Sequence, residues 1–204
     1  MLSARLSTFV IHCCVVKRKY ELKKRAESQA ETRRRIVEAA IQLHGTKGPA
    51  RTTMSDIARV AGVQRHTLYR HFPDERAVGL ACSGLYTERN PLPDPAAWLG
   101  LRGEERLRAG LADMYAYFEH NEQMLARLVV DAEVHDLTRE LMEIRRGAEL
   151  REIRQVLGQA APRRKAAQAE LDLALDFRTW QRLRRSGLSS GPAAEAMARA
   201  VLAQ

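Results

Sequence analysis

The 204-residue sequence has little of what supports metal centres, disulfide frameworks or membrane spans. Its three cysteines, Cys13, Cys14 and Cys82, are odd in number and lack the spacing of a metal site. Because the vicinal Cys13 and Cys14 do not form an ordinary structural disulfide, a reducing cytoplasm is expected, and Cys82 is interpreted as a small buried residue. The apolar-leaning run at residues 6–16 has eleven residues, which is too short to span a bilayer.

Catalytic signatures are also absent from the sequence. It contains no nucleophile elbow, phosphate-binding loop or His-Glu-x-x-His motif. His135 has Asp131, Glu133 and Asp136 nearby in sequence, but their spacing spreads them around a helix end rather than gathering them as metal ligands. The sequence therefore predicts a protein that is not an enzyme and holds neither a metal nor a cofactor.

Positive charge is in excess, and its placement is informative. The chain carries 34 Lys and Arg against 25 Asp and Glu, a net charge of +9. Residues 1–90 hold 17 basic and 8 acidic residues, which gives +9, while residues 91–204 hold 17 of each. All of the excess lies in the first half, as in a polyanion-binding module joined to an uncharged partner or ligand domain. The alternative is a solvated basic face without a function.

A capping box, a glycine and a basic helix follow one another in residues 52–72, TTMSDIARVAGVQRHTLYRHF. Thr53 and Asp56 form the Thr-x-x-Asp box that opens a helix, and Gly62 supplies the left-handed residue that ends it. The second helix has Leu68 and Phe72 among its apolar residues, whereas its other residues are mostly polar or cationic. Two short helices joined by a glycine turn, with the second one basic outward, predict a helix-turn-helix.

At these residues the chain resembles the TetR family of transcriptional regulators. The family pattern, Thr-Thr-x-x-Asp-Ile-Ala-x-x-Ala-Gly-Val-x-x-x-Thr-Leu-Tyr-x-His-Phe, matches residues 52–72 nearly throughout, and the resemblance extends over about residues 28–89. Two residues depart from the family. His66 stands where a small residue is usual, and Glu75 stands where a lysine is common, which puts one family phosphate contact in doubt unless Arg76 replaces it.

The resemblance implies roles for the helix-turn-helix residues. The first turn of the second helix, Gln64, Arg65 and His66, is expected to reach bases, since Gln pairs with adenine and Arg with guanine. Sequence-independent affinity through phosphates is expected from four further residues, Thr53, Thr67, Tyr69 and His71. With Thr52 added, the expected DNA-binding set is Thr52, Thr53, Gln64, Arg65, His66, Thr67, Tyr69 and His71.

The N-terminal residues 1–27 are expected to be a basic, disordered extension. For residues 1–16 a disordered or spurious extension is favoured over membrane targeting, and translation from a start near residue 15 or 16 is a further alternative. The basic run at residues 17–25 fits either a solvated helix extension or an arm along DNA. Ser28 and Glu31 form a capping box that predicts the start of the first helix of a three-helix DNA-binding domain.

The rest of the chain is predicted to be helical. The proline-rich stretch at residues 90–95 marks a boundary, and long helices are predicted over residues 104–120, 135–159 and 162–186. Residues 166–177 are apolar nearly all round, which favours a dimer interface. Several residues after this boundary fit either a ligand pocket or an ordinary hydrophobic core: Met114, Tyr117, Phe118, Met124 and Leu128.

The predicted fold is all-α. A three-helix DNA-binding head occupies residues 28–89, and a helical ligand-binding and dimerisation domain, called the body below, occupies residues 90–204. The resemblance implies a cytoplasmic homodimer that binds a palindromic operator in double-stranded DNA, represses transcription and is released by a small-molecule effector. In that mechanism the effector shifts the helix over residues 74–89 and changes the spacing of the two heads. The rivals are an enzyme or ligand carrier that uses the body alone, and a nonspecific nucleic-acid-coating protein.

Overall fold

The computed structural model describes the backbone of residues 4–203 and the side chains of residues 24–203. Within these residues the fold is all-helical and contains no strand, so the predicted fold class is confirmed. The N-terminal half consists of α1 (Ala4–Thr46), a 3₁₀ turn (Pro49–Arg51), α2 (Met54–Val60), α3 (Arg65–His71) and α4 (Glu75–Arg89). A second 3₁₀ turn (Pro95–Trp98) precedes α5 (Gly103–His120), α6 (Glu122–Asp131), α7 (Asp136–Met142), a π-helical turn (Glu143–Gly147), α8 (Ala148–Gly158), α9 (Lys165–Ala174), α10 (Phe177–Arg185) and α11 (Ser190–Leu202).

The first hydrophobic core joins α1 to the three helices that follow it. Ile36 of α1, Ile57 of α2 and Leu68 of α3 are almost completely buried there, together with Phe72 and Val78. Each short helix contributes one or two apolar residues, which is too little to stabilise it alone. The core therefore holds α2 and α3 against α1 and α4 at a fixed angle.

The second hydrophobic core is built around α5, which packs most extensively on α11. Phe118 of α5 meets Phe177 edge to face, with ring centroids 5.7 Å apart, and Trp180 lies 5.4 Å from Phe177. The Trp180 indole N–H donates to the Ser190 hydroxyl over 3.1 Å, so its polar atom is satisfied inside the core. Met114 and Phe118, two of the candidate pocket residues, belong to this core.

The predicted start of the first helix at Ser28 is wrong. Helix α1 begins at Ala4 and runs through Ser28, whose carbonyl accepts a hydrogen bond from the Thr32 hydroxyl one turn later. Glu31 pairs with the Arg34 guanidinium instead of capping the helix. The backbone of much of the predicted extension, residues 1–27, is therefore helical. The side chains of residues 1–23 lie outside the described residues, and a separate extension stays a prediction.

The single helix predicted over residues 162–186 is two helices. Helix α9 ends at Ala174, and the Asp176 carboxylate accepts hydrogen bonds from the backbone N–H groups of Arg178 and Thr179 to begin α10. The apolar run is also less enclosed than expected. Leu171 and Ala174 are buried, but the Leu173 side chain is 59% exposed on the outer face of α9.

Several polar contacts connect the C-terminal part to the N-terminal half, and two of them lie beside the helix-turn-helix. The backbone N–H of Ala50 donates to the buried carboxylate of Asp131, at the end of α6, over 2.9 Å. The Arg76 guanidinium of α4 donates to both carboxylate oxygens of Glu140 in α7, over 2.5 and 2.6 Å. These contacts link α6 and α7 of the body to both ends of the helix-turn-helix.

In the part of the chain with described side chains, the acidic residues near His135 do not converge on a metal site. Asp131 binds the Ala50 N–H, Glu133 pairs with Arg178, and the His135 Nδ1 lies 2.8 Å from the Thr138 hydroxyl. Among the described residues no helix combines the length and hydropathy that a bilayer crossing needs.

Candidate nucleic-acid interface

Helix α2 begins with the capping box that the sequence predicts. The Thr53 hydroxyl oxygen accepts from the Asp56 backbone N–H over 3.1 Å, and the Asp56 carboxylate accepts from the Thr53 N–H over 3.2 Å. Lys47 adds an ion pair to Asp56 over 2.6 Å. This lysine and the Thr53 hydrogen bonds hold the pKa of Asp56 well below its usual range. Thr53 therefore stabilises the start of α2.

The turn between α2 and α3 is a Schellman motif. The Val63 N–H donates to the Ala58 carbonyl and the Gly62 N–H to the Arg59 carbonyl, with Gly62 at φ +65°. A side chain at this backbone angle would be strained, so glycine fits the position. The Arg35 guanidinium of α1 donates to the Ala61 carbonyl over 3.2 Å, a cap that no sequence pattern indicates.

Helix α3 has one buried face and one outward face. Leu68 and Phe72 point into the core, and most of the other side chains of the helix are exposed. The residues of the predicted base-reading turn, Gln64, Arg65 and His66, are all exposed. Tyr69 is 39% exposed, and the Arg65 guanidinium lies 5.8 Å from its ring centroid. The first turn of α3 thus presents amide, guanidinium and imidazole groups together on the surface.

The remaining predicted DNA-contacting residues differ in exposure. Thr53 is exposed and Thr67 is half-buried, but Thr52 is only 7% exposed and its hydroxyl donates to the Gly48 carbonyl over 2.7 Å. The Thr52 hydroxyl is therefore turned inward, and a contact of Thr52 with DNA stays a prediction. His71 is half-buried, and its Nε2 atom is enclosed without a hydrogen-bond partner among the described residues. Burial, Arg70 and Arg33 lower the pKa of His71.

The N-terminal half carries unpaired cations, some of them on α3 itself. Within residues 24–203 several exposed arginines of the DNA-binding half have no carboxylate within ion-pair distance, among them Arg33, Arg51, Arg65 and Arg70. Arg76, by contrast, forms an ion pair with Glu140. Glu75, the second departure from the family pattern, lies 3.7 Å from the His135 Nε2. The start of α4 therefore faces the body rather than offering a phosphate contact.

A second candidate site is a cavity of about 100 Å³ between α1, α4 and the body helices. Three of the five predicted pocket residues line it, namely Tyr117, Met124 and Leu128. Its wall is mostly apolar, and its charged groups are Arg145 and Arg146 of the π-helical turn. Neither arginine was a candidate from the sequence, because a solvated basic pair is the ordinary interpretation of such residues on a helix.

Two titratable groups in the same wall are neutral at pH 7. His44 lies with its Nδ1 3.5 Å from the Cys82 sulfur. Burial lowers the pKa of His44 to about 4 and raises the pKa of the Cys82 thiol to about 12. The Cys82 thiol donates to the Gly79 carbonyl over 3.4 Å. Cys82 is therefore a buried neutral residue.

A sequence-family model agrees with this geometry. The model for bacterial regulatory proteins of the tetR family matches residues 36–82, which contain α2, α3 and the connecting turn. The HTH-type transcriptional regulator TtgR of Pseudomonas putida is 50% identical over 46 residues. That match covers 22% of this chain and 22% of TtgR, so it concerns the DNA-binding half alone.

Solved structures share the fold over most of the chain. HlyIIR, a hemolysin II transcriptional regulator, superposes with a TM-score of 0.65, is 16% identical and covers 86% of this chain and 99% of its own. The multidrug binding protein EbrR, solved in complex with imidazole, superposes with a TM-score of 0.56, is 18% identical and covers 82% of this chain and 93% of its own. At these identities the similarity establishes the architecture of the body and nothing about its ligand.

Proposed function

Because residues 36–82 match the model for bacterial regulatory proteins of the tetR family, we propose that the chain is a DNA-binding transcriptional regulator of this family, a repressor that binds a palindromic operator as a homodimer. A small molecule bound in the body releases it from DNA. The observation that carries this proposal is the exposed first turn of α3, held by a capped α2 and a buried face of α1. Residues 28–89 act as the DNA-binding domain and residues 90–204 as the regulatory and dimerisation domain.

The proposed base contacts come from Gln64, Arg65 and His66, which are exposed together at the start of α3. Thr53, Thr67 and Tyr69 contact phosphates. Thr52 contributes indirectly, because its hydrogen bond to the Gly48 carbonyl fixes the backbone before α2. His71 contributes a phosphate contact through Nδ1, since its Nε2 is enclosed. The unpaired arginines of the N-terminal half add electrostatic affinity that does not depend on sequence.

Dimerisation is proposed through α9 and α11. The outer face of α9 exposes Leu173 with Ala166 and Ala169 at one-turn spacing, and α9 packs on α11. Covering this face with the same face of a second chain would form an isologous interface. Two α3 helices would then face half-sites about 34–36 Å apart, or somewhat more, on one side of the duplex.

Release by a small molecule is proposed for the cavity beside α4. The cavity touches α4 along Gly79, Cys82, Ser83, Tyr86 and Thr87, and α4 follows the recognition helix directly. A ligand that moves α4 would change the spacing of the two heads. EbrR, which shares the fold, is described as a multidrug binding protein. Because DNA is the partner, we place the chain in the cytoplasm and propose no enzymatic activity for it.

The experiment is selection of bound duplexes from a random pool by the purified chain. The proposal predicts an enriched inverted repeat, because two identical heads related by a two-fold axis read the same bases on opposite strands. An enriched single half-site would show a monomeric reader and contradict the dimer. A pool that emerges without an enriched motif would favour the nonspecific nucleic-acid-coating protein and overturn the function itself.

A further inference from the structure

The cavity beside α4 is apolar and carries net positive charge. No Asp or Glu is among its lining residues, and His44 is neutral there because burial lowers its pKa to about 4. The two cations, Arg145 and Arg146, are consecutive residues of the π-helical turn Glu143–Gly147. Such turns occur often at functional sites. In this chain the turn brings two neighbouring side chains to the same cavity.

The two arginines differ in their partners. Arg146 pairs with the Glu149 carboxylate over 3.0 Å and also donates to the carbonyls of Thr87 and Asn90 at the end of α4. Its charge is thereby compensated. Arg145 has no carboxylate within ion-pair distance among the residues whose side chains are described. A half-buried guanidinium without a counter-ion is an anion site of the kind that carboxylates fill in proteins.

Among the residues whose side chains are described, the hydrogen-bond partners of Arg145 lie on α4. Its guanidinium donates to the Leu80 carbonyl over 2.6 Å and to the Ser83 hydroxyl over 3.1 Å. It also lies over Gly84, where a Cβ atom would come within 3.1 Å of its Nη2. Glycine at this position lets the guanidinium approach the backbone. Arg145 therefore connects the π-helical turn to the middle of α4 through bonds that an anion would compete for.

Resting on the regulatory function proposed above, we infer that the effector is a compact, largely apolar molecule with one carboxylate, which binds Arg145. The apolar wall takes the body of the molecule, and the guanidinium takes the carboxylate as a charge-assisted pair. Binding replaces the Leu80 and Ser83 contacts with contacts to the ligand, so α4 loses a connection to the body.

Cavity size limits the molecule further. The volume of about 100 Å³ is below the roughly 300 Å³ at which most ligand pockets begin. An apolar cavity of about 150 Å³ holds benzene. A monocyclic or short branched acid therefore fits after a small adjustment of the wall. Cationic ligands are excluded, because Arg145 would face them without any acidic residue in the cavity wall.

The test compares acids with their uncharged isosteres by titration calorimetry on the purified chain without DNA. The panel is benzoate with benzamide and cyclohexanecarboxylate with its carboxamide, and benzylammonium is the cationic control. At least one acid should bind tenfold or more tightly than its amide, and benzylammonium should not bind. Arg145→Gln should remove the preference for the acid, whereas Arg145→Lys should keep part of it.

A matched control is Arg139→Gln, which removes one positive charge from the exposed side of α7 and should leave the preference unchanged. Circular dichroism establishes that each variant is folded, and the acid–amide comparison on the wild type does not depend on any variant. Equal binding of acid and amide, no binding by any acid of the panel, or a preference that survives Arg145→Gln overturns the inference. A chain that binds no DNA would overturn the regulatory function and leave this comparison intact.

Discussion

At the residue scale, the exposed side chains of α3 divide into those at its first turn and those that follow. Gln64, Arg65 and His66 stand at the N-terminal end of α3, the end that we propose enters a groove, while Tyr69 lies one turn later beside Arg65. Side chains on bases carry sequence information, and those on phosphates carry affinity. In the proposed mode of binding, this division separates specificity from strength of binding within a single seven-residue helix.

Substitutions at these positions should have different effects on the selected motif. Gln64→Ala and His66→Gly should each relax the preference at particular base pairs, at a cost of about 1–3 kcal/mol of discrimination per lost base contact. Tyr69→Phe should weaken binding to all sequences alike and leave the preferred motif unchanged. Random-pool selection with each variant measures both effects. The assignment is wrong if the Gln64 and His66 variants keep the wild-type motif while Tyr69→Phe alters it.

His44 should make the fold sensitive to acid. Its pKa falls from 6.5 to about 4 in the folded chain because of burial, with a smaller lowering by His135 and an opposing effect of Asp131. The unfolded state therefore binds the proton more readily, and the free energy of unfolding should fall as pH drops from 6.5 towards 4. The shift corresponds to about 3 kcal/mol over that range.

Denaturant unfolding at pH 7 and pH 4.5 measures this loss, and His44→Gln removes the group responsible. The variant should lose less stability between the two pH values than the wild type, because glutamine does not titrate. Other acidic groups contribute equally to both proteins, so the difference between them isolates His44. An identical acid loss in the two proteins would contradict the burial-driven shift.

At the element scale, α2 depends on its cap, because seven residues do not form a stable helix alone. Thr53→Ala removes the hydroxyl that accepts from the Asp56 N–H and should cost about 1 kcal/mol of unfolding free energy. Thr53→Ser should retain most of it. Ser55→Ala, an exposed position two residues further on, is the control and should be nearly neutral. A Thr53→Ala variant as stable as the wild type would show that the core alone fixes α2.

Sequence patterns predicted the elements whose signals are local. Thr53 and Gly62 fix the two ends of α2 through hydrogen bonds and a backbone angle that need no distant partner. Apolar periodicity failed at Asp176, because the Ala and Leu residues before it continue a helical stripe while the aspartate side chain starts a new helix. The capping-box pattern failed at Ser28, which lies inside a longer helix.

The parts of the site formed by distant residues were not predictable from local patterns. The Asp131 contact with Ala50 joins residues 81 positions apart, and Arg145 reaches Leu80 across 65 positions. Thr52 matched the family pattern as a DNA-contacting residue, although its hydroxyl is turned inward. Spacing along the chain shows which face of a helix a residue occupies, but the neighbouring helix decides what that face meets.

At the scale of the whole molecule, the proposed dimer depends on an outer face of α9 that one chain leaves exposed. Leu173→Arg should convert the dimer to a monomer, because an arginine there would be buried without a partner in the interface. The monomer should remain folded, since the side chain is 59% exposed in a single chain. Sedimentation at micromolar concentration measures the change.

The control for Leu173→Arg is Val134→Arg, which places the same charge at an apolar position that is 79% exposed between α6 and α7. That variant should sediment like the wild type. A wild-type chain that is monomeric at micromolar concentration would contradict the dimer directly. Equal dissociation by both variants would show that the effect comes from added charge rather than from the α9 face.

The most direct measurement is the ratio of two affinities at one salt concentration. The purified 204-residue chain is titrated with its selected inverted repeat and with a scrambled duplex of the same length and base composition. If the exposed turn of α3 reads sequence, the inverted repeat should bind about 10³-fold or more tightly, and the combined Gln64→Ala and His66→Gly substitutions should reduce that ratio. A ratio near one for the wild type would contradict the account.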